Sequence, residues 1–287
     1  MKFSLTNEFK DRLREEILNY NIDFIHKSFE GVSYVDITEL LYEFDSNDSK
    51  YILDNIDFDI SAKIISELDE DNRKNFLKIF SAEEVAKFLN VIDSDDGADI
   101  LSELDVEFRG DVISQIEDSE KSKNLKELLR YDEDVAGGLM AIELVKCNIN
   151  WKINQCIDLI KKQAENVSNI YSVYVTDNKG KLLGKVSLKD ILLAKDNSRI
   201  KDVYDDYVIS VDAKMNQEEV SQIMQKYDLT VLPVVNKRGK LLGRITIDDV
   251  VDVITETAEE ERQIMSGITS DVEEDDTIWK LSNALCV

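Results

Sequence analysis

The chain has 287 residues, enough for two or three domains that each bury a core of their own. Its 60 acidic and 35 basic residues give a formal charge of −25, so we expect the surface to repel nucleic acid and anionic lipid and to attract cations. Three cysteines without metal-like spacing favour a reducing compartment, and the sequence has neither a secretion signal nor an apolar run of about 18 residues.

Residues 1–133 have the pattern of successive amphipathic helices, with apolar residues recurring at intervals of three and four. The segment Ala62–Asp69 returns as Ala98–Asp105, 36 residues later. This period is typical of helix-pair solenoids, in which neighbouring helices bury one another's apolar faces. Ser81 and Glu84 predict a capping box at the start of one helix. The pattern therefore predicts an all-α superhelical domain.

The paired glycines Gly137 and Gly138 follow a run of acidic residues and predict a hinge into a different kind of domain. Beyond them, β-branched runs alternate with amphipathic stretches at about residues 153–166 and 215–227, which predicts small α/β units with short sheets. The only proline, Pro233, interrupts a strand-like run and predicts a strand start or an edge position.

A near-repeat marks the second half of the chain. Gly180–Ile191 returns as Gly239–Val250, 59 residues later, and each copy follows a β-branched run. The Gly-Lys pair that opens each copy predicts a hairpin turn between strands rather than a phosphate-binding loop. Two small modules in tandem favour a ligand-sensing device over an enzyme.

The second copy leads into an acidic segment. Residues 248–276 contain 12 acidic residues and one basic residue, Arg262. On a helix, Asp249, Asp252, Glu256 and Glu260 step by three and four and share one face. A solvated acidic helix is the simplest interpretation. The alternative is that hydrated Mg²⁺, which takes only one or two carboxylates, bridges this face to another acidic surface such as Asp95 and Asp99.

Several motifs together resemble known families. The duplicated Gly-x-Leu-x-Gly motif, followed in each copy by an aspartate (Asp190 and Asp249), resembles a tandem pair of cystathionine-β-synthase (CBS) domains. The helical first domain and the segments Asp132–Met140, Tyr227–Val235 and Thr246–Ile254 resemble the cytosolic half of the MgtE family of magnesium transporters, nearly end to end. The resemblance implies an α plus α/β fold: a superhelix over residues 1–133, CBS domains over 134–202 and 203–254, and an acidic connecting helix over 255–287. A membrane domain is expected just after Leu285.

The same resemblance implies a non-catalytic Mg²⁺ sensor at the cytoplasmic face of a membrane, which partners its own pore domain and forms a homodimer through the CBS domains. Matching positions imply an extended set of ion ligands, in which Gly138 acts through its carbonyl: Asp95, Asp99, Gly138, Glu218, Asp228, Asp249, Asp252, Glu260 and Glu261. Asn216 and Thr257 stand where the family often has acids, and Glu256 could compensate.

Two other functions remain open. CBS pairs commonly bind ATP or AMP, and Tyr171, Lys189 and Asp190 match the positions of an adenylate site, whereas Ser172 and Leu229 depart from it. The simplest role for Asp190 is to cap a helix. A helical interaction scaffold is the third possibility. An enzyme is disfavoured, because the single histidine, His26, has no catalytic partner pattern.

Overall fold

The computed structural model describes residues 6–163, 172–195, 197–251 and 253–255. Contacts divide the chain into two compact units, with the boundary between Arg130 and Tyr131. Among the described residues, no helix is long and apolar enough to cross a membrane.

The described part of the first unit, residues 6–130, consists of ten helices joined by short turns. They are α1 (Asn7–Leu18), α2 (Ile22–Phe29), α3 (Tyr34–Leu41), α4 (Ser46–Asp54), α5 (Phe58–Glu67), α6 (Glu70–Leu77), α7 (Ala82–Val91), α8 (Ser94–Glu103), α9 (Val106–Gln115) and α10 (Ser119–Leu128). Odd-numbered helices from α3 to α9 pack on one another, and α8 packs on both α6 and α10. This two-layer stacking confirms the predicted all-α superhelix.

Several helices of this unit begin at a short polar residue whose side chain accepts a hydrogen bond from a backbone N–H group of the first turn. Ser81 and Glu84 form the predicted capping box of α7, in which each side chain bonds to the backbone of the other. The 36-residue repeat is also structural. α5 and α8 each have 10 residues, and their N-cap residues are Asp57 and Asp93. The repeated sequence therefore produces the same helix twice.

The second unit contains two α/β modules of the same design. In the first, β1 (Val145–Asn148) pairs in parallel with β2 (Val173–Thr176), which pairs antiparallel with β3 (Leu182–Val186). Helix α11 (Ile153–Gln163) connects β1 to β2, and α12 (Leu188–Leu193) follows β3. Apolar side chains of these elements form one buried core, which includes Cys147 and Cys156.

The second module repeats this order with β4 (Val211–Asp212), α13 (Gln217–Lys226), β5 (Val231–Val235) and β6 (Leu241–Thr246). A short 3₁₀ helix, Ile200–Asp202, precedes it. The pairing is again parallel and then antiparallel, in the order β4-β5-β6. The predicted fold class, an all-α domain followed by small α/β units, is confirmed. The predicted connecting helix over residues 255–287 lies almost wholly outside the described residues.

Two local predictions have different outcomes. Gly180 and Gly239 occupy hairpin turns with φ of +78° and +73°, as the Gly-Lys pattern predicts. The prediction of a strand start or an edge position for Pro233 is wrong, because Pro233 is the third of five residues in β5, the middle strand of its sheet. Proline is accommodated there because β4 has only two residues, which pair with Val234 and Val235.

Candidate functional site

Asp95 and Asp99 lie one turn apart on α8, as their spacing predicts. Asp95 is half-buried in the first turn, where its Oδ1 accepts a hydrogen bond from the Asp96 N–H at 3.0 Å. Asp99 is exposed. Burial lowers the pKa of Arg73, but its hydrogen bonds to Glu103 and the charges of Asp99 and Asp96 outweigh this and raise it. The Asp99 carboxylate thus already interacts electrostatically with the Arg73 guanidinium group, which would repel a cation bound at Asp99.

Gly138 lies in a tightly folded segment at the start of the second unit. A Cβ on Gly138 would approach the Asp132 carbonyl oxygen to 2.6 Å, and one on Gly137 would approach the Tyr131 ring to 2.3 Å. Close packing therefore requires both glycines, and the hinge that their pairing predicts stays a prediction. The Gly138 carbonyl accepts no hydrogen bond from any described residue, so its oxygen is available to a ligand.

The same segment pairs with the start of α13. The Ala136 N–H donates to the Met215 carbonyl at 2.8 Å, and the Gln217 N–H donates to the Asp134 carbonyl at 2.8 Å. These bonds bring the chain around Gly138 next to the helix start that carries Glu218, 80 residues away in sequence. Glu218 is exposed in the first turn of α13.

Asp228 occupies an unusual backbone conformation at the other end of α13. Its φ is +50°, in the left-handed region that glycine prefers. The Asp228 N–H donates to the Gln225 carbonyl at 3.3 Å and the Leu229 N–H to the Met224 carbonyl at 2.9 Å, which makes a Schellman termination. An exposed carboxylate therefore takes the position that glycine usually fills.

Asp249 lies in the helix that follows β6. Its Oδ2 accepts hydrogen bonds from the Thr246 N–H at 2.7 Å and the Thr246 hydroxyl at 2.6 Å. Burial raises the pKa of Asp249, the Thr246 bonds oppose the rise, and the net shift is upward. Both bonds engage Oδ2, so Oδ1 accepts none from the described residues.

The first module repeats this arrangement in a more exposed form. The Asp190 N–H donates to the Ser187 Oγ at 3.0 Å, and the Ser187 hydroxyl donates to Asp190 Oδ2 at 2.6 Å. Asp190 is thus the third residue of α12, and Ser187 is the N-cap. The roles of Ser187 and Thr246 also follow from the sequence, because the Ser/Thr-x-x-Asp spacing in both copies indicates a capping box. Lys189 lies exposed beside Asp190.

In neither unit do the described candidate ligands form a cluster. Within the described ranges, no three His, Cys, Asp or Glu side chains could hold a metal ion together. Glu218 lies in the first turn of α13 and Asp228 follows its last turn, so roughly 15 Å separates them at 1.5 Å rise per residue. The remaining predicted site residues lie outside the described part of the chain: Tyr171, Asp252, Glu256, Glu260 and Glu261. The described candidate donors are all oxygens and lie on different elements. Mg²⁺ keeps several waters and takes only one or two carboxylates, so dispersed oxygen donors can bind it in hydrated form.

Two family profiles match the chain. The MgtE intracellular N domain matches residues 32–134, and the CBS domain matches residues 134–197 and 200–256. Together these matches extend over residues 32–256 and fall in both units.

Named relatives agree with the profiles. The chain is 38% identical over 144 residues to the magnesium transporter MgtE of Thermus thermophilus. The aligned region covers 50% of this chain and 32% of that protein. It is 36% identical over 156 residues to the MgtE of Enterococcus faecalis, with coverage of 54% and 34%. The matched region therefore spans about a third of the length of these relatives.

Solved structures extend the similarity to most of the chain. A crystal structure of the cytosolic domain of the Mg²⁺ channel MgtE in complex with ATP has a TM-score of 0.79 at 29% identity, covering 85% of this chain and 99% of that one. The soluble part of a magnesium transporter has a TM-score of 0.77 at 29% identity, with coverage of 88% and 98%. The chain therefore carries an MgtE intracellular N domain followed by tandem CBS domains.

Proposed function

We propose that this chain is the cytosolic Mg²⁺-sensing module of a magnesium transporter or channel. In this proposal it performs no catalysis and acts by changing conformation when ions bind. Its similarity to the cytosolic domain of a Mg²⁺ channel over 85% of its length supports this assignment.

The observation that carries the proposal is the distribution of oxygen donors. Asp249 Oδ1 and the Gly138 carbonyl accept no hydrogen bond from the described residues, and the acidic side chains occupy separate surfaces. Mg²⁺ keeps several waters and takes one or two carboxylates at a time. Donors scattered in this way are suited to bridging two surfaces through a hydrated ion.

The mechanism follows from charge. At high Mg²⁺, ions bridge the acidic faces of the N domain, the CBS pair and the acidic segment after Asp249, and the assembly is closed. At low Mg²⁺, unscreened carboxylates repel and the assembly opens. The ion shifts the population because it binds the closed state more tightly, so no chemical step is required.

Small-angle scattering with a Mg²⁺ titration tests this proposal. We expect the radius of gyration to fall at millimolar Mg²⁺ and to fall less in a double variant, Asp95→Asn with Asp99→Asn. The matched control is Asp59→Asn with Glu67→Gln on α5, which removes two exposed charges from the helix that repeats α8. Scattering that is unchanged by Mg²⁺ in the parent chain would contradict the proposal.

The partners of the module belong to the same proposal. We infer that it is attached to a membrane pore domain, lies at the cytoplasmic face of the membrane, and dimerises through its CBS domains. Analytical ultracentrifugation at several concentrations tests dimerisation. A sedimentation coefficient that stays at the monomer value throughout would contradict it.

A second candidate function is adenine-nucleotide binding by the CBS pair. A similar structure is a complex with ATP, and Lys189 and Asp190 lie exposed together at the start of α12. A lysine can bind phosphate, and a carboxylate can accept hydrogen bonds from ribose hydroxyls. ATP would then be a regulatory ligand of the same module.

Thermal shift with ATP tests this second function. We expect ATP to raise the melting temperature, and Asp190→Ala to abolish the rise. Ser187→Ala is the matched control, because it removes the same capping bond and leaves the carboxylate in place. Equal loss in both variants would assign the effect to helix capping rather than to ribose binding.

A further inference from the structure

Two exposed turns of the second unit together carry five cations. The first turn spans residues 177–181 and the second spans residues 236–240, and we call them the paired turns. Their basic side chains are all exposed: Lys179, Lys181, Lys237, Arg238 and Lys240. The two turns are 59 residues apart in sequence, so the cluster exists only in the folded protein.

Backbone hydrogen bonds hold the paired turns together. The Leu182 N–H donates to the Gly239 carbonyl at 2.9 Å, and the Leu241 N–H donates to the Gly180 carbonyl at 3.0 Å. These reciprocal bonds place Lys181 opposite Lys240 in an antiparallel bridge. The juxtaposition therefore does not depend on the flexible lysine side chains.

The lysine stems also cross from one turn to the other. Carbons of Lys240 lie 3.5 Å from the position that a Cβ on Gly180 would take, and carbons of Lys181 lie 3.4 Å from the corresponding position on Gly239. Each stem packs over the partner turn's glycine while its ammonium group stays in solvent. The paired turns thus concentrate positive charge at one place.

Each turn is fixed by its first side chain. Asp177 Oδ1 accepts hydrogen bonds from the N–H groups of Lys179 and Lys181, at 2.7 and 2.9 Å. In the second turn, Asn236 Oδ1 accepts from Arg238 and Lys240 at 2.9 and 3.1 Å. The geometry is the same, but the second turn is built with a neutral residue and contributes no negative charge.

The five cations take part in none of the ion pairs found among the described residues. The chain has 25 more acidic than basic residues, yet among the described residues no carboxylate oxygen lies within 4.0 Å of a side-chain nitrogen of any of the five. Asp177 is the one carboxylate within the turns, and the charges of Lys179 and Lys181 act on it. The paired turns therefore keep a local excess of positive charge.

We propose that the paired turns are a docking surface for the phosphate headgroups of an anionic lipid bilayer. Hairpin tips with several mobile cations suit a flat anionic surface, whereas small molecules usually bind in concave pockets. Screening limits repulsion from the remaining acidic surface to a range of about 8 Å at physiological salt. Composition alone predicts repulsion from anionic lipid, and the paired turns are a local exception to that prediction.

Vesicle co-sedimentation tests this proposal, using the chain itself with phosphatidylcholine vesicles that contain or lack phosphatidylglycerol. A chelator is present throughout, so that Mg²⁺ cannot bridge carboxylates to lipid phosphate. We expect binding only to the anionic vesicles, weakening as salt is added. Lys181→Glu with Lys240→Glu should weaken binding at least about tenfold.

Two further variants identify the cause of any loss. Lys146→Glu with Lys214→Glu makes the same change in net charge at exposed lysines outside the paired turns, and it should bind within about twofold of the parent. Asn236→Asp keeps the side-chain acceptor, as Asp177 does in the first turn, and adds one negative charge. It should weaken binding while leaving the melting temperature unchanged.

The outcomes separate this proposal from the Mg²⁺ proposal, because none of these variants alters a predicted ion ligand. Equal losses in the two double variants would overturn it, since net charge alone would explain them. Absence of binding to anionic vesicles would also overturn it. Calorimetric binding of soluble tripolyphosphate without vesicle binding would overturn the lipid assignment in favour of free phosphate.

Discussion

Asp228 combines a backbone conformation that favours glycine with a predicted ligand role. Left-handed conformations cost non-glycine residues roughly 1–2 kcal/mol, although aspartate and asparagine tolerate them better than most. The φ of +50° at Asp228, after the end of α13, therefore destabilises the folded state locally. Such outliers gather at functional positions, where the side chain supplies something that glycine cannot.

The first prediction concerns this position. Asp228→Gly should raise the free energy of unfolding by up to about 1 kcal/mol, because glycine adopts positive φ without strain. Asp228→Asn should leave stability nearly unchanged, since asparagine also tolerates this conformation. Urea unfolding measures both, and a destabilised glycine variant would show that the carboxylate has a structural role. If Asp228 binds Mg²⁺, both variants should also reduce scattering compaction.

At the level of elements, glycine has two different roles in this chain. Gly137 and Gly138 are required by close contacts, since a Cβ on either would overlap neighbouring atoms. Gly110 lies inside α9, where a Cβ would meet nothing within 4 Å. We therefore expect alanine to destabilise the protein at Gly137 or Gly138 and to stabilise it at Gly110.

The second prediction follows from this contrast. Gly138→Ala should lower the free energy of unfolding of the second unit by about 1–3 kcal/mol, the usual cost of overpacking. Gly110→Ala should raise that of the first unit by about 0.5–1 kcal/mol, because alanine has the higher helix propensity. Thermal denaturation of the two variants tests both signs. A neutral Gly138→Ala would mean that the segment at Asp132 can move aside.

The capping box of α7 extends to a neighbouring helix. Glu84 Oε2 accepts from the Ser81 N–H at 2.7 Å, and Glu84 Oε1 lies 2.5 Å from the Lys50 Nζ of α4. Burial alone would raise the pKa of Glu84, but the bonds from Lys50 and Ser81 and the Lys50 charge lower it from 4.5 to about 2. The ionised carboxylate therefore stabilises the folded state.

The third prediction is the pH dependence of this stabilisation. Because the folded-state pKa lies below the unfolded one, the contribution is complete above about pH 4.5 and disappears as the pH falls toward 2. Glu84→Gln should cost about 1 kcal/mol at neutral pH, a value moderated by the partial exposure of the pair. Urea unfolding should show the two proteins converging as the pH is lowered. A constant difference across this range would exclude ionisation as the cause.

For the whole molecule, the charge of −25 is the dominant long-range term. Self-repulsion at this charge destabilises compact states, and any salt reduces it by screening. A specific Mg²⁺ site adds a separate contribution, because an ion that binds only the folded protein stabilises it by mass action. The two contributions can be separated at equal ionic strength.

The fourth prediction uses this difference. NaCl should raise the melting temperature through screening, and MgCl₂ at the same ionic strength should raise it by at least a further 2–4 °C or about 1 kcal/mol. Differential scanning fluorimetry in both salts measures the gap. Asp249→Asn should narrow it, while Glu67→Gln, an exposed carboxylate on α5, should not. Coincident curves in the two salts would leave screening as the only effect of Mg²⁺ on stability.

The sequence by itself determined the elements of this protein. Apolar spacing predicted the helices, the 36-residue repeat predicted the superhelix, and the 59-residue repeat predicted two modules with hairpin turns at Gly180 and Gly239. These features are local or periodic, so residue types and their spacing along the chain are enough to predict them. The same motifs also predicted the N domain and the tandem CBS domains that the family models match.

Only the tertiary structure decided how distant residues combine. It brought the Gly138 segment beside α13, gave Gly137 and Gly138 a steric role, placed Pro233 in a middle strand, and set Arg73 near Asp99. It also assembled the paired turns from two segments that each look ordinary in sequence. Contacts between distant segments depend on packing and on backbone pairing, and neither is written in the spacing of a single segment.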